Sequence, residues 1–147
     1  MTRYYSIDEA NAAVPEVERI LIALRDQREE LINLRDRVVA ASPPDDETPP
    51  PPAAEQIRLL RLGMQGLIDQ MQAGVARLVE LDVTLRDIAT GLIDFPALVT
   101  GRPVWLCFRL GESAVEHWHP HDEGFDSRRP LAELPTGLGR SSGTPAA

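Results

Sequence analysis

The chain has 147 residues, 43% of them hydrophobic, and a net charge of −8; this is the length of one domain with a real core, and so acidic a surface excludes a nucleic-acid partner, which needs a basic face. A single cysteine excludes an intramolecular disulfide and suits a reducing cytoplasm, and no apolar run approaches the roughly 18 residues of a membrane span. All fifteen basic residues are arginine, which removes Schiff-base and P-loop lysine chemistry.

Tyr4-Tyr5 leads directly into Ser6-Ile7-Asp8-Glu9, a capping box in which Ser6 and Glu9 satisfy each other's amides. No secretory leader is expected ahead of it. A short helix over 7–13 follows, and Pro15 restarts the helix over 15–41, since proline fits the first turn but not the interior. Its apolar row is Ile20, Leu24, Leu31, Leu34 and Val38, with Gln27 in one slot. Residues 42–53 carry six prolines and three acids and read as a polar connector. A PxxP-type ligand is the alternative to a spacer.

The second helix is expected over 54–90, about 55 Å at 1.5 Å per residue. Ile57, Leu60, Met64, Leu67, Met71, Leu78, Leu81, Leu85 and Ile88 keep a three-four rhythm. Gly63, Gly66 and Gly74 mark weak points or close helix contacts, and Gly91 fits a helix C-terminus. The two helices predict an antiparallel, coiled-coil-like hairpin. Leu59, Leu62, Ile68, Val75 and Val79 fall off its stripe. They need a second cover, either the C-terminal region or another copy of the chain, so a homodimer through the helices is expected.

Beyond Gly91 the period changes. Residues 92–98 read as a turn-rich crossing. Val104 to Leu110 alternates as a strand with Val104, Leu106, Phe108 and Leu110 on one face. Gly111-Glu112-Ser113 gives a turn, and 114–119 returns as the second strand of a β-hairpin. Residues 132–147 have the composition of a disordered tail. The fold class is therefore α+β, mainly α: a long helical hairpin capped by a C-terminal β-hairpin.

The residues suited to chemistry concentrate at this end. All three histidines lie at His117, His119 and His121, near Cys107, Trp105 and Trp118. On a strand His117 and His119 share a face, and Glu123 follows four residues later. His-x-His-x3-Glu suits a divalent zinc, iron or manganese ion, with His121 as a substitute third ligand. The spacing also matches the first metal motif of cupins, but two long helices precede it and no second motif follows. The simpler alternative is that His119 hydrogen-bonds Asp94 or Glu123 and locks the hairpin. Arg109, Arg128 and Arg129 with Trp118 and Phe125 could form a small-anion pocket; the alternative is that Arg109 pairs with Asp94, Glu112 or Glu116. Cys107 could be activated by a histidine across the hairpin, or be buried filler.

Gly91-Leu92-Ile93-Asp94-Phe95-Pro96-Ala97-Leu98, the run Val104 to Glu112, Trp118-His119, Asp122-Glu123-Gly124-Phe125, Arg128 and Pro130-Leu131, together with Tyr5 to Asn11 and Pro15, resemble a small prokaryotic family known as domain of unknown function 2203. The resemblance spans most of residues 4–131, a single domain, and implies no activity. Within it His119 beside Trp118 fits the pattern best. Three functions follow as expectations: a cytoplasmic homodimeric interaction or scaffold module, for which a protein partner is the natural ligand; a metal-binding protein or metal-dependent enzyme using His117, His119 and Glu123; and an anion-binding module using Arg109 and Arg128.

Overall fold

The structure is a computed structural model that describes residues 3–45 and 47–135. Ser6 caps a helix that runs unbroken from Ile7 to Ala41 (α1), with both arms of the capping box formed at 3.0 Å. The break expected at Pro15 is absent. Pro15 faces solvent, so the Asn11 carbonyl that loses its donor can be hydrated. Ala10, Val14, Val17, Leu21 and Leu24 meanwhile form one buried face across the proline. That continuous burial offsets the roughly 3 kcal/mol penalty of an internal proline.

The second helix, α2, spans Pro51–Glu80, not 54–90. Its start absorbs the last two prolines of the expected connector, since a proline at N1 or N2 has no amide to waste. Its end comes ten residues early because Asp82 takes a left-handed conformation, φ 59°, and Val83 turns inward. The side chain of Asp82 is held by the amide of Arg3 at 2.9 Å. Leu85 and Ile88 continue the heptad spacing by coincidence; both pack on the core from outside the helix. The antiparallel helices pack closely at two glycines: a Cβ on Gly63 would come within 3.2 Å of Leu34, and one on Gly74 within 3.2 Å of Leu24. Gly66 faces open space.

Five strands follow: β1 (Thr84–Asp87), β2 (Leu92–Val99), β3 (Arg102–Arg109), β4 (His117–Pro120) and β5 (Arg129–Pro130). They form one antiparallel sheet in the order β1-β2-β3-β4-β5, in place of the expected two-stranded hairpin. The segment 92–98, expected as a crossing, is the buried strand β2. Pro96 is tolerated there because β1 reaches only as far as Asp94. The amide-less nitrogen faces the unpaired edge, and the Pro96 carbonyl on that side accepts from Tyr5 at 2.7 Å. Thr100 and Gly101, both with positive φ, make the two-residue turn into β3. The strand expected over 104–110 is shifted to 102–109. The one expected over 114–119 begins only at His117, because Asn11 of α1 draws the Val115 amide off the ladder at 2.8 Å. Of the tail expected over 132–147, Leu131–Glu133 makes a 3-10 turn, and everything past residue 135 lies outside the described residues.

The core lies between one sheet face and the N-terminal half of α1 with the C-terminal end of α2. Tyr5 meets Phe95 edge-on at 4.9 Å and donates its hydroxyl to the Leu81 carbonyl at 2.6 Å. Beyond Leu24 and Leu78 the two helices cover only each other, through Leu34, Ile57 and Leu60.

Gly91 sits at φ 67° with a Cβ position 2.4 Å from Leu110 Cγ. Gly91→Ala should lose about 1–3 kcal/mol from backbone strain and more from the clash. Gly66→Ala, in an open helical position, should gain about 1 kcal/mol. Urea unfolding of the two variants checks both signs.

Candidate functional site

Strand alternation gives the sheet a second face, turned away from the helices. Asp94 of β2, Cys107 of β3 and His117 of β4 stand in one row of it, and Pro96, Trp105 and His119 in the next. Arg86 of β1, two residues on from the Thr84 that pairs with Asp94, projects from the same face. The result is a chain of three charged groups. Nε2 of His119 and Nε of Arg86 both donate to Oδ2 of Asp94, at 3.0 and 2.9 Å. Asp94 and His119 are each 2% exposed.

The other ring nitrogen of His119, Nδ1, lies 3.0 Å from the Pro120 carbonyl. A carbonyl and a carboxylate only accept, so the geometry fits the ring with hydrogen on both nitrogens, its imidazolium form. Burial alone would lower its pKa; the Asp94 hydrogen bond and charge, with the backbone carbonyls of Pro120 and Glu123, outweigh that and raise it above the ordinary histidine value. A histidine with both nitrogens engaged has no lone pair for a substrate or a metal. Beside the pair opens a cleft of about 270 Å³ lined by Arg86, Asp94, His119, His121, Asp122 and Glu123.

A second cluster stands next to it. Arg128 donates to Glu112 and to Nδ1 of His117. Since guanidinium can only donate, that nitrogen accepts, and the 3.5 Å approach of Glu112 to it is not an ion pair. Cys107 lies between the two clusters, fully buried. Burial, then the charge of Asp94, pushes its thiol up to about 12. A thiol held so far above neutrality supplies almost no thiolate.

The candidate residues from the sequence therefore divide. His117 and His119 do share a face, but each is engaged elsewhere. Glu123 is 3.8 Å from Arg129, and His121 stacks on Trp105 at 4.9 Å. Among the described residues no three His, Cys, Asp or Glu side chains group to hold a metal ion. Arg109 stands on the outer face, whereas Trp118 points to the core side and is buried under Arg129 at 5.3 Å; the sheet separates them. The ring of Phe125 lies outside the described residues. Arg86 escapes the sequence reading because residues 84–87 fall in the helix expected over 54–90 and are strand instead. The lone Asp94 in the apolar run 92–98 was the available signal, since a carboxylate there must be buried and paired.

Fold and site together define a class: a helical arm on a five-stranded antiparallel sheet whose outer face is built around a buried Asp–His pair met by an exposed arginine. A family model described as "Uncharacterized conserved protein (DUF2203)" matches residues 3–131. The chain belongs to that family. No curated protein and no solved structure matches it.

The raised His119 pKa means that the folded state binds this proton more tightly than the unfolded state does. Its stabilisation is whole below the unfolded value of about 6.5 and is lost as pH rises through the folded value. Urea midpoints should fall across that window in the native sequence, and Asp94→Asn should flatten the fall. Asp94→Ala should cost about 3–5 kcal/mol by leaving His119 and Arg86 without their anion; a loss under about 1 kcal/mol would contradict a buried ionic pair. Cys107 should resist a disulfide exchange reagent at pH 8 in the folded protein and react at once in denaturant. Rapid labelling of the folded form would show that the thiol is accessible.

Proposed function

We propose that this protein is a cytoplasmic interaction module that self-associates through a bare flank of α2. One observation carries the reading: of the five apolar residues of α2 that fall off its stripe, all but the half-buried Ile68 are exposed. Leu59 is 54% exposed, Leu62 58%, Val75 36% and Val79 65%. Of the two covers those residues require, the described part of the C-terminal region, up to residue 135, does not supply one. A second copy is the remaining candidate, and symmetric homodimers are the commonest soluble assembly. Each arm helix now has one neighbour; pairing two arms into a four-helix bundle would give it two.

The flank favoured for contact is the one carrying Val75 and Val79. It runs into a groove of about 560 Å³ that continues over Thr84, Leu85, Pro96 and Trp105 of the sheet. Trp105 is half-buried there, with the Arg86 guanidinium 4.9 Å over its ring and His121 stacked on it. A partly buried tryptophan flanked by arginine is the usual chemistry of an interface anchor. Met64 and Leu67 do not test this reading, because they share the helical phase of Leu60 and Leu78 and face α1.

Light scattering on the intact protein at about 100 μM should give a weight-average mass of about 1.5 monomers or more, since an association of about −5.5 kcal/mol is half-formed near that concentration. Val75→Glu with Val79→Glu should give a monomer with unchanged helicity. A native protein that stays monomeric at that concentration would overturn the proposal, as would a double variant that remains dimeric.

A further inference from the structure

The proline-rich connector at the arm tip and the Trp105 groove stand at opposite ends of one flank of α2. Ala54, Arg61, Ile68 and Val75 recur every seven residues and so form a single row along the helix. At the tip end of this row Pro49 lines a hollow with Ala54 and Arg61. At the other end the row runs through Val75 into the groove walled by Val79, Leu85, Pro96 and Trp105. The 30 residues of α2 between them measure about 45 Å at 1.5 Å per residue. The connector therefore cannot reach the groove of its own chain.

The connector has the chemistry of a ligand for such a groove. Residues 47–50 lie outside helix and strand, and Pro50, at φ −62° and ψ 155°, has polyproline geometry. Pro50 is exposed and Pro49 half-buried. Prolines bring apolar rings, no amide donor to desolvate and a backbone ordered before binding, which is why such segments dock in apolar, aromatic-lined grooves. The charges agree. Asp45 and Glu47 stand exposed beside the prolines, and the exposed Arg86 guanidinium stands over the Trp105 ring. Asp82, the acid of the groove wall, is held by the Arg3 amide.

We propose that two copies clasp in antiparallel, the Pro49-Pro50 tip of each lying in the Trp105 groove of the other. The clasp rests on self-association through α2 and gives it a direction. Only an antiparallel alignment brings tip and groove together, and one twofold axis near the middle of α2 fills both grooves at once, as an isologous dimer requires. Ile68 then lies near the axis. Val75 and Val79 alone fall far short of the roughly 800 Å² per partner of a stable interface; the docked tips extend it at both ends.

Pro44→Cys places a spin label on the exposed tip beside the docked prolines, while the buried Cys107 stays unlabelled. Pulsed EPR at about 1 mM protein should give an intersubunit distance of about 40 Å or more, whereas parallel arms would bring the labels within about 20 Å. The chain has two tryptophans, so its ¹⁵N–¹H spectrum has two indole signals. Dilution from about 1 mM to about 50 μM should move that of Trp105 and leave the buried Trp118 nearly still. Pro49→Ser with Pro50→Ser puts a favoured N-cap residue on α2, so the variant should fold normally and dimerise about tenfold more weakly by light scattering. A protein that is monomeric at every concentration overturns the self-association reading and the clasp with it. A dimer whose tip labels lie within about 20 Å, whose Trp105 signal ignores dilution, or whose affinity survives the two serines overturns the clasp alone.

Discussion

A carboxylate in the middle of a sheet is the constraint on which the outer face depends. Transferring Asp94 out of water costs several kcal/mol unless its charge is met at close range. The chain meets it twice on one oxygen, with His119 from β4 and Arg86 from β1. These two strands do not pair with each other; β2 and β3 lie between them. The ion cluster therefore ties one edge of the sheet to its far side across Cys107. Arg86 reaches that face by plain alternation, since it lies two residues on from Thr84, which pairs with Asp94. The ion pair fixes the ring of His119, the ring position fixes the Pro120 backbone, and the following turn carries Asp122 and Glu123 to the cleft.

The opposite face is governed by area instead of charge. The sheet accepts one length of helix, and α1, at 35 residues, is about 50 Å long at 1.5 Å per residue. Its first half covers Ile93, Phe95, Ala97 and Leu106. Its second half has only α2 beneath it. Two helices in contact bury one stripe each, so the arm is stable only if that stripe is continuous, and Gly63 and Gly74 draw the backbones together to keep it so. The polar exception is the Gln27–Gln70 contact at 3.4 Å, which leaves Oε1 of Gln27 buried without a donor. A weak polar layer midway along an otherwise apolar seam favours one helix register over its neighbours, as single polar core residues do in coiled coils.

How much of this was legible in the sequence follows from the range of the forces involved. The capping box, the helical hairpin and the hairpin strand around Val104 to Phe108 depend on residues close in sequence, and their periodicities expose them. The end of α2 was not legible, because Leu81, Leu85 and Ile88 keep helical spacing while being pulled into a sheet by tertiary contacts. Strand β2 was hidden by Pro96 and Asp94, which look like a loop until Tyr5 is seen to take the open edge and His119 the charge. In the site, the shared face of His117 and His119 follows from strand geometry alone. Their partners do not: Arg128 arrives from a loop, and Arg86 from a strand disguised by the helical spacing of Leu81, Leu85 and Ile88.

The three histidines illustrate the difference between a residue's chemistry and its availability. Five residues containing three imidazoles suggest ligation, yet here each ring has a separate role. His119 is locked between two acceptors, His117 accepts from Arg128, and His121 lies flat on Trp105. The outer face is polar but saturated, apart from one oxygen of Asp94 beside the thiol of Cys107. Saturated groups hold a structure in place; binding is done by groups whose partners are missing. By that criterion the place to look is the uncovered one, the flank of α2 that no described element reaches.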